Sequence, residues 1–216
     1  ASNGTCLTTS PTALGNLLWC CHLYYLHATH AADAARLRDG LFPLLASAVN
    51  YYAHFAREEA ALDDDGAGGA PRLHLPPTLS PELYTGADTN YDLMLLKWGL
   101  RTLLGEPAWA DLLAADDGGA RAARWADLLA RLAPNPVDER GYMVNRDDAF
   151  DVSHRHFSHL MDLWPLKTPA AYADGGAGRA LAARSLDNWL SMPDALTGFA
   201  RPVAAMMNTQ LGRRAA

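Results

Sequence analysis

The residues best suited to chemistry gather in two places. The first is Ser153-His154-Arg155-His156-Phe157-Ser158-His159, which holds three of the eight histidines of the chain. Imidazole and guanidinium groups at this density support three kinds of site. One is a metal centre, with His156 and His159 at i, i+3, although no HExxH pattern or carboxylate of ligand spacing accompanies them. Another is a turn whose rings hydrogen-bond the backbone. The third is a site for a polyhydroxylated ligand, with Arg155 and His156 as fixed donors and Phe157 and Trp164 as stacking faces. The second place is Glu82, in Thr78-Leu79-Ser80-Pro81-Glu82. A general acid must be held in one position and partly desolvated so that it stays protonated near neutral pH. Pro76, Pro77 and Pro81 stiffen this loop enough to do the holding; the alternative is an ordinary exposed glutamate. Asp88, Asn90 and Asp92 follow closely, and Asp88 reads as a helix N-cap rather than a ligand.

Other chemistries lack their patterns. No GxSxG-like elbow supports a Ser/His/Asp nucleophile. Gly66, Gly68 and Gly69 lie among acidic and small residues with no following lysine, so no phosphate cradle and no cofactor are expected. Cys6, Cys20 and Cys21 make neither a disulfide framework nor a CxxC zinc pair and read as small buried hydrophobes. Eighteen basic residues against twenty-four acidic ones give a net charge of -6. That leaves no cationic surplus for nucleic acid or for an anionic membrane. No apolar run reaches the roughly 18 residues of a membrane-spanning helix. The opening ASNGTCLTTSP has neither the basic nor the apolar part of an export signal, and the missing initiator Met suggests that the natural N-terminus lies elsewhere.

The elements that must position these residues are helical. Half of the 216 residues are hydrophobic and 19% are charged, enough for a packed core. Ser10-Pro11 predicts a helix start, and Leu14, Leu17, Leu18, Cys21, Tyr25 and Leu26 fall near one face of a helix running to about Thr29. Asp33 is the next N-cap, and Gly40 with Pro43 divides the following helical segment into a short piece and a long one. DDDGAGGAP (63–71) reads as an exposed loop, and Arg72–Leu75 as a short strand. Three prolines and a glycine keep 76–88 out of regular helix. Asp88 caps a helix that Gly105 stops. Helices follow near 107–115 and 119–132, then an extended or looped GYMVNRDDAF, a short helix over Phe157–Trp164, and helices near 169–190 and 197–212, the first interrupted at Gly175–Gly178. The result is an all-α reading of seven or eight helices with two long loops, 76–88 and 134–156. Long structured loops on a helical scaffold tend to carry function.

Several strings, in this order along the chain, carry a resemblance: Gly15-Asn16-Leu17-Leu18-Trp19; Leu41-Phe42-Pro43-Leu44-Leu45 with Val49-Asn50-Tyr51-Tyr52; Ser80-Pro81-Glu82; and His154-Arg155-His156-Phe157-Ser158-His159-Leu160 with Trp164-Pro165. Together they resemble glycoside hydrolase family 95, in particular the catalytic domain of its bacterial α-L-fucosidases. The resemblance implies part of an (α/α)6 helical toroid and an inverting mechanism with a carboxylic acid and a base-activated water. It implies that Glu82 is the general acid, that Arg155 and His156 bind the sugar, and that Trp164 lies beside it. Trp19, one of several aromatics whose helical spacing reads mostly as core, is a further candidate stacking face. Leu83 stands where the fucosidases have Asn, and Trp164 where they have Tyr. The family's water-holding asparagines and its catalytic aspartate have no match, so the resemblance implies that residues 1–216 are one partial, interior piece of a catalytic domain.

The expected function is cleavage of a terminal α-linked neutral or deoxy sugar from an oligosaccharide or glycoconjugate. The resemblance fits a bacterial periplasmic or secreted setting. Two other readings stay open. A toroid-fold polysaccharide lyase would use His156 with Tyr84 or Tyr142 as proton acceptor, but the negative net charge fits its acidic substrate poorly. A non-catalytic carbohydrate-binding relative would keep the donors and lack the base.

Overall fold

The computed structural model describes residues 15–62, 68–115, 119–173 and 175–213. The described residues are mostly helical and divide into two compact units. One is built from residues 15–76 and 95–134, the other from 77–94 and 135–213.

In the first unit, α1 (Gly15–His30) and α2 (Phe42–Phe55) are joined by a π-helical turn, Arg36–Leu41. Asp33 opens this segment as the sequence suggests, its carboxylate accepting the Arg36 N–H at 3.0 Å. Pro43 sits in the first turn of α2, where its missing N–H costs nothing. A Cβ at Gly40 would displace the Tyr24 hydroxyl that packs there. The α1 face differs from expectation. Leu18, Cys21, His22 and Ala28 are buried, whereas Leu17 and Leu23 are exposed. The helix is apolar nearly all round, so periodicity alone could not choose its inner face. Cys21 behaves as a small hydrophobe, with burial pushing its thiol up to about 11, but Cys20 is exposed.

The later part of α3 (Asn90–Gly105) closes this core. Gly99 lets it approach Leu18, Leu45 and Val49, and the edge of Trp98 meets His22 at 4.9 Å. A short α4 (Ala110–Ala115) and α5 (Ala120–Arg131) follow. Buried Trp109 donates to the Leu37 carbonyl at 3.1 Å, and Trp125 to Asn50 Oδ1 at 2.9 Å.

The expected exposed loop at 63–71 is in part strand. β1 (Arg57–Leu62) and β2 (Gly68–His74) form an antiparallel hairpin with Arg57 opposite His74. Residues 63–67 of that loop, like Cys6, Ser10, Pro11 and Leu14, lie outside the described residues. Polar Arg57-Glu58-Glu59 carries no strand signal; the hairpin is held instead by long-range contacts. Arg131, at the end of α5, pairs with Glu58, and Ala133 N–H donates to the Leu73 carbonyl at 3.0 Å.

The second unit contains β3 (Thr78–Leu79) paired with β4 (Thr85–Gly86), and β5 (Val137–Asp138) paired with β6 (Gly141–Tyr142). Its helices are α6 (Pro169–Tyr172), α7 (Ala177–Leu190) and α8 (Ala200–Gln210). The segment expected as a helix over Phe157–Trp164 is a single 3-10 turn, Ser158–Leu160, continued by turns. The α3 cap also moves by one residue. Thr89, not Asp88, precedes the helix, and the Asp92 N–H donates to Thr89 Oγ1 at 3.4 Å. Thr89 Oγ1 in turn donates to the Asp92 carboxylate at 2.8 Å, so the cap residue is bound to both the backbone and the side chain of the first turn.

Gly141 shows how closely α7 packs on β6. Its φ of +132° suits glycine, and a Cβ would lie 2.7 Å from the Ser185 Cα. Gly141→Ala should lower unfolding stability by about 1–3 kcal/mol, the usual range for overpacking. Urea denaturation checks this, and an unchanged midpoint would contradict the packing.

Candidate active site

Glu82 occupies the apex of a tight turn. Leu83 N–H donates to the Ser80 carbonyl at 3.0 Å, and Ser80 N–H to the Tyr84 carbonyl at 2.9 Å. Pro81 stands second in the four-residue turn and Glu82 third, with φ of +56°. Proline followed by a positive φ marks a type II turn, whose third position ordinarily takes Gly or Asn. A glutamate there costs on the order of 1–2 kcal/mol. Strain of this kind, held by the surrounding bonds, is characteristic of functional positions. β3 and β4 flank the turn, and β3 is fixed from beneath: buried Thr78 donates to Asp92 and lies 3.0 Å from Thr89 Oγ1.

The histidine-rich segment reaches the same point from 73 residues away. Arg155 forms an ion pair with the Glu82 carboxylate, and His156 Nε2 lies 3.5 Å from Glu82 Oε2. The residues around Arg155 and His156 are tied down one by one. Ser153 Oγ donates to the Met192 carbonyl and accepts from Ala195 N–H, both at 2.7 Å. The His154 carbonyl accepts from the indole of buried Trp189 at 2.8 Å. His154 Nδ1 accepts the His156 N–H at 3.1 Å. Phe157 is buried against Trp164, Trp189 and Phe199, with ring centroids 5.4, 5.9 and 5.7 Å away. Ser158 Oγ lies 2.8 Å from Ser80 Oγ, and His159 stacks on Phe150 at 3.8 Å. The two side chains that face Glu82 are thus presented by a segment anchored on both sides.

Charge follows from these surroundings. Burial, then the Arg155 charge and then His154, hold His156 below the usual histidine range, so its ring is neutral near pH 7. A neutral ring both donates and accepts, which suits a hydroxyl ligand. Arg155 supplies the permanent charge, half-exposed like Glu82. The ion pair uses Glu82 as a carboxylate, whereas an acid must carry a proton. The pair therefore has to part before Glu82 can donate one.

The remaining sequence-derived candidates fall differently. Trp164 is brought into the aromatic cluster under His156, packed edge-on against Phe157 and only partly exposed. Trp19 lies on α1, in the other unit, and is partly buried. His156 and His159, weighed as a metal pair, have different surroundings. His156 faces Glu82, while His159 is fully buried with no partner on either ring nitrogen among the described residues, and burial drives its pKa down to about 3. Among the described residues, no three His, Cys, Asp or Glu side chains come together as a metal centre would need. For the lyase reading, Tyr142 is buried and its hydroxyl pushed above the usual tyrosine range, which opposes a role as proton acceptor. Tyr84 is shifted the same way by burial and by Asp151 and Asp148.

Two features escaped the sequence. Phe199 exposes about half its surface, 51%, beside His156, with centroids 6.3 Å apart. An aromatic just before α8 carries no signal of this. The Ser80–Ser158 contact joins two motifs that the sequence shows separately. A surface cavity of about 400 Å³, lined by Arg179, Leu211 and Arg213 among others, includes none of these residues.

The family model described as the glycosyl hydrolase family 95 catalytic domain covers residues 6–215. No curated protein sequence matches significantly.

Proposed function

Because the chain belongs to glycosyl hydrolase family 95, we propose that it cleaves a terminal α-linked neutral or deoxy sugar with inversion, and that Glu82 is the general acid. One observation carries the assignment of residues. Glu82 sits on a strained turn apex and is met there by Arg155 and His156, 73 residues on, from a segment anchored on both sides. Strain and anchoring are spent on presenting one carboxylate, which ordinary packing does not require.

In this reading the substrate opens the resting ion pair. A ring hydroxyl takes the Arg155 donors, and a neighbouring hydroxyl bonds the neutral His156 ring. Glu82 is then free to carry a proton and give it to the glycosidic oxygen as that bond breaks. Water attacks from the opposite face of the sugar. Trp164 supplies a stacking face, and Phe199 offers a further one beside His156. The helices form part of an (α/α)6 toroid, with residues 1–216 as one portion of the catalytic domain. Family membership supports these last two points.

His156→Ala tests the hydroxyl contact. It should lower kcat/KM roughly tenfold, the value of a single hydrogen bond, with a raised KM, because the contact exists in both ground and transition states. Initial rates on an aryl α-L-fucoside and other aryl glycosides check this in the protein that carries the chain. Unchanged kinetics would remove His156 from the sugar site.

A further inference from the structure

We propose that Ser80 and Ser158 are positioning residues that lock the turn of Glu82 to the segment of Arg155 and His156. This proposal rests on the reading of Glu82 as general acid. The two hydroxyl oxygens lie 2.8 Å apart, with Ser80 only 1% and Ser158 4% exposed. Each serine stands two residues from a side chain of the site: Ser80 before Glu82, Ser158 after His156. Ser80 is also the base of the turn, through its own N–H to Tyr84 and its carbonyl from Leu83. A shift of Ser80 therefore moves the apex as a rigid piece. Ser158 opens the 3-10 turn that follows the anchored aromatic Phe157.

A second link between the two segments is the set of contacts made by Glu82 itself with Arg155 and His156. Those must open when Glu82 takes up a proton and Arg155 turns to substrate. A buried bond between neutral hydroxyls does not respond to that change. It keeps the two segments in register while the contacts of Glu82 rearrange. The clasp thus gives a reason for a serine in the Ser-Pro-Glu string and for the serine of Arg-His-Phe-Ser-His: each is the other's partner.

The test compares two aryl glycosides, one with a good leaving group such as 2,4-dinitrophenol and one with a poor one such as phenol. Ser80→Ala, Ser158→Ala, the double variant and Glu82→Gln are assayed on both. Misplacing a catalytic group by about 1 Å costs up to 10²-fold. Each single variant should therefore lose about 10- to 100-fold in kcat on the phenyl substrate and several-fold less on the dinitrophenyl one. A merely structural loss would fall equally on both substrates. The double variant should lose no more activity than either single one, because one bond is removed in all three. It should also melt close to the wild-type temperature, since no buried hydroxyl is left unpaired. That keeps the test valid if a single variant folds poorly. If Glu82→Gln is sensitive to the leaving group and the serine variants are not, the clasp is overturned alone. If Glu82→Gln loses nothing, the acid assignment falls first and takes the clasp with it.

Discussion

Acidification should destabilise this protein through a buried histidine. His159 is fully buried against Phe150, has no hydrogen-bond partner at either ring nitrogen among the described residues, and is held neutral by burial and secondarily by His154. Its pKa falls from 6.5 to about 3 on folding. Between those values the unfolded chain takes up a proton that the folded chain refuses, so stability drops as pH drops. As pH rises beyond 6.5 the unfolded ring also loses its proton and the effect fades out. Over the full interval the loss is on the order of 4 kcal/mol. That is a large share of the roughly 5–15 kcal/mol that holds a domain folded. From pH 6.5 to pH 5 it amounts to about 2 kcal/mol. His159→Leu removes the titrating ring without breaking a hydrogen bond, so its denaturation midpoint should fall less over that interval. Parallel pH profiles for the wild type and the variant would place a partner on the ring and contradict the burial.

The second large effect is chemical. Glu82→Gln should reduce kcat on an unactivated glycoside by about 10²–10⁴-fold, the usual worth of general acid help. The amide keeps the shape of the side chain and its place on the turn, so ligand binding should survive. Stability should change by about 1 kcal/mol or less, because the ion pair to Arg155 is half-exposed. Glu82→Gly should be equally inactive, and free of the cost of a positive φ. A variant more stable and less active than the wild type is the expected signature of a residue kept for chemistry at some expense in stability.

How far the sequence foretold these arrangements depends on the range of the forces involved. Helices α3, α5 and α7 were legible because amphipathic spacing, caps and glycine stops act within a few residues. The proline-braced loop of Glu82 was legible for the same reason, and the resemblance paired it with Arg155 and His156. Its positive φ was not, since Glu is a poor residue for that position and only tertiary bonds keep it there. The N-cap was misplaced by one residue because Asp88 and Thr89 are both good caps; a side-chain contact to Asp92 decides between them. The hairpin of β1 and β2 depends on Arg131 and Leu73 contacts far along the chain. Ser80 and Ser158, 78 residues apart, show no sign of each other in sequence. His159 looked like one more polar residue of a reactive cluster, and packing against Phe150 made it part of the core.

The claim that Glu82 protonates the leaving oxygen is met most directly by the dependence of rate on the leaving group. A series of aryl α-glycosides of the sugar that the wild type cleaves, graded from phenol to 2,4-dinitrophenol, is assayed with the wild type and Glu82→Gln. A proton donor shields the wild type from leaving-group basicity, so its kcat should vary little across the series. Glu82→Gln should fall steeply as the phenol becomes more basic and approach the wild-type rate at dinitrophenol. Two flat, parallel profiles, or a loss in the variant that is the same for every phenol, would show that Glu82 does not donate the proton.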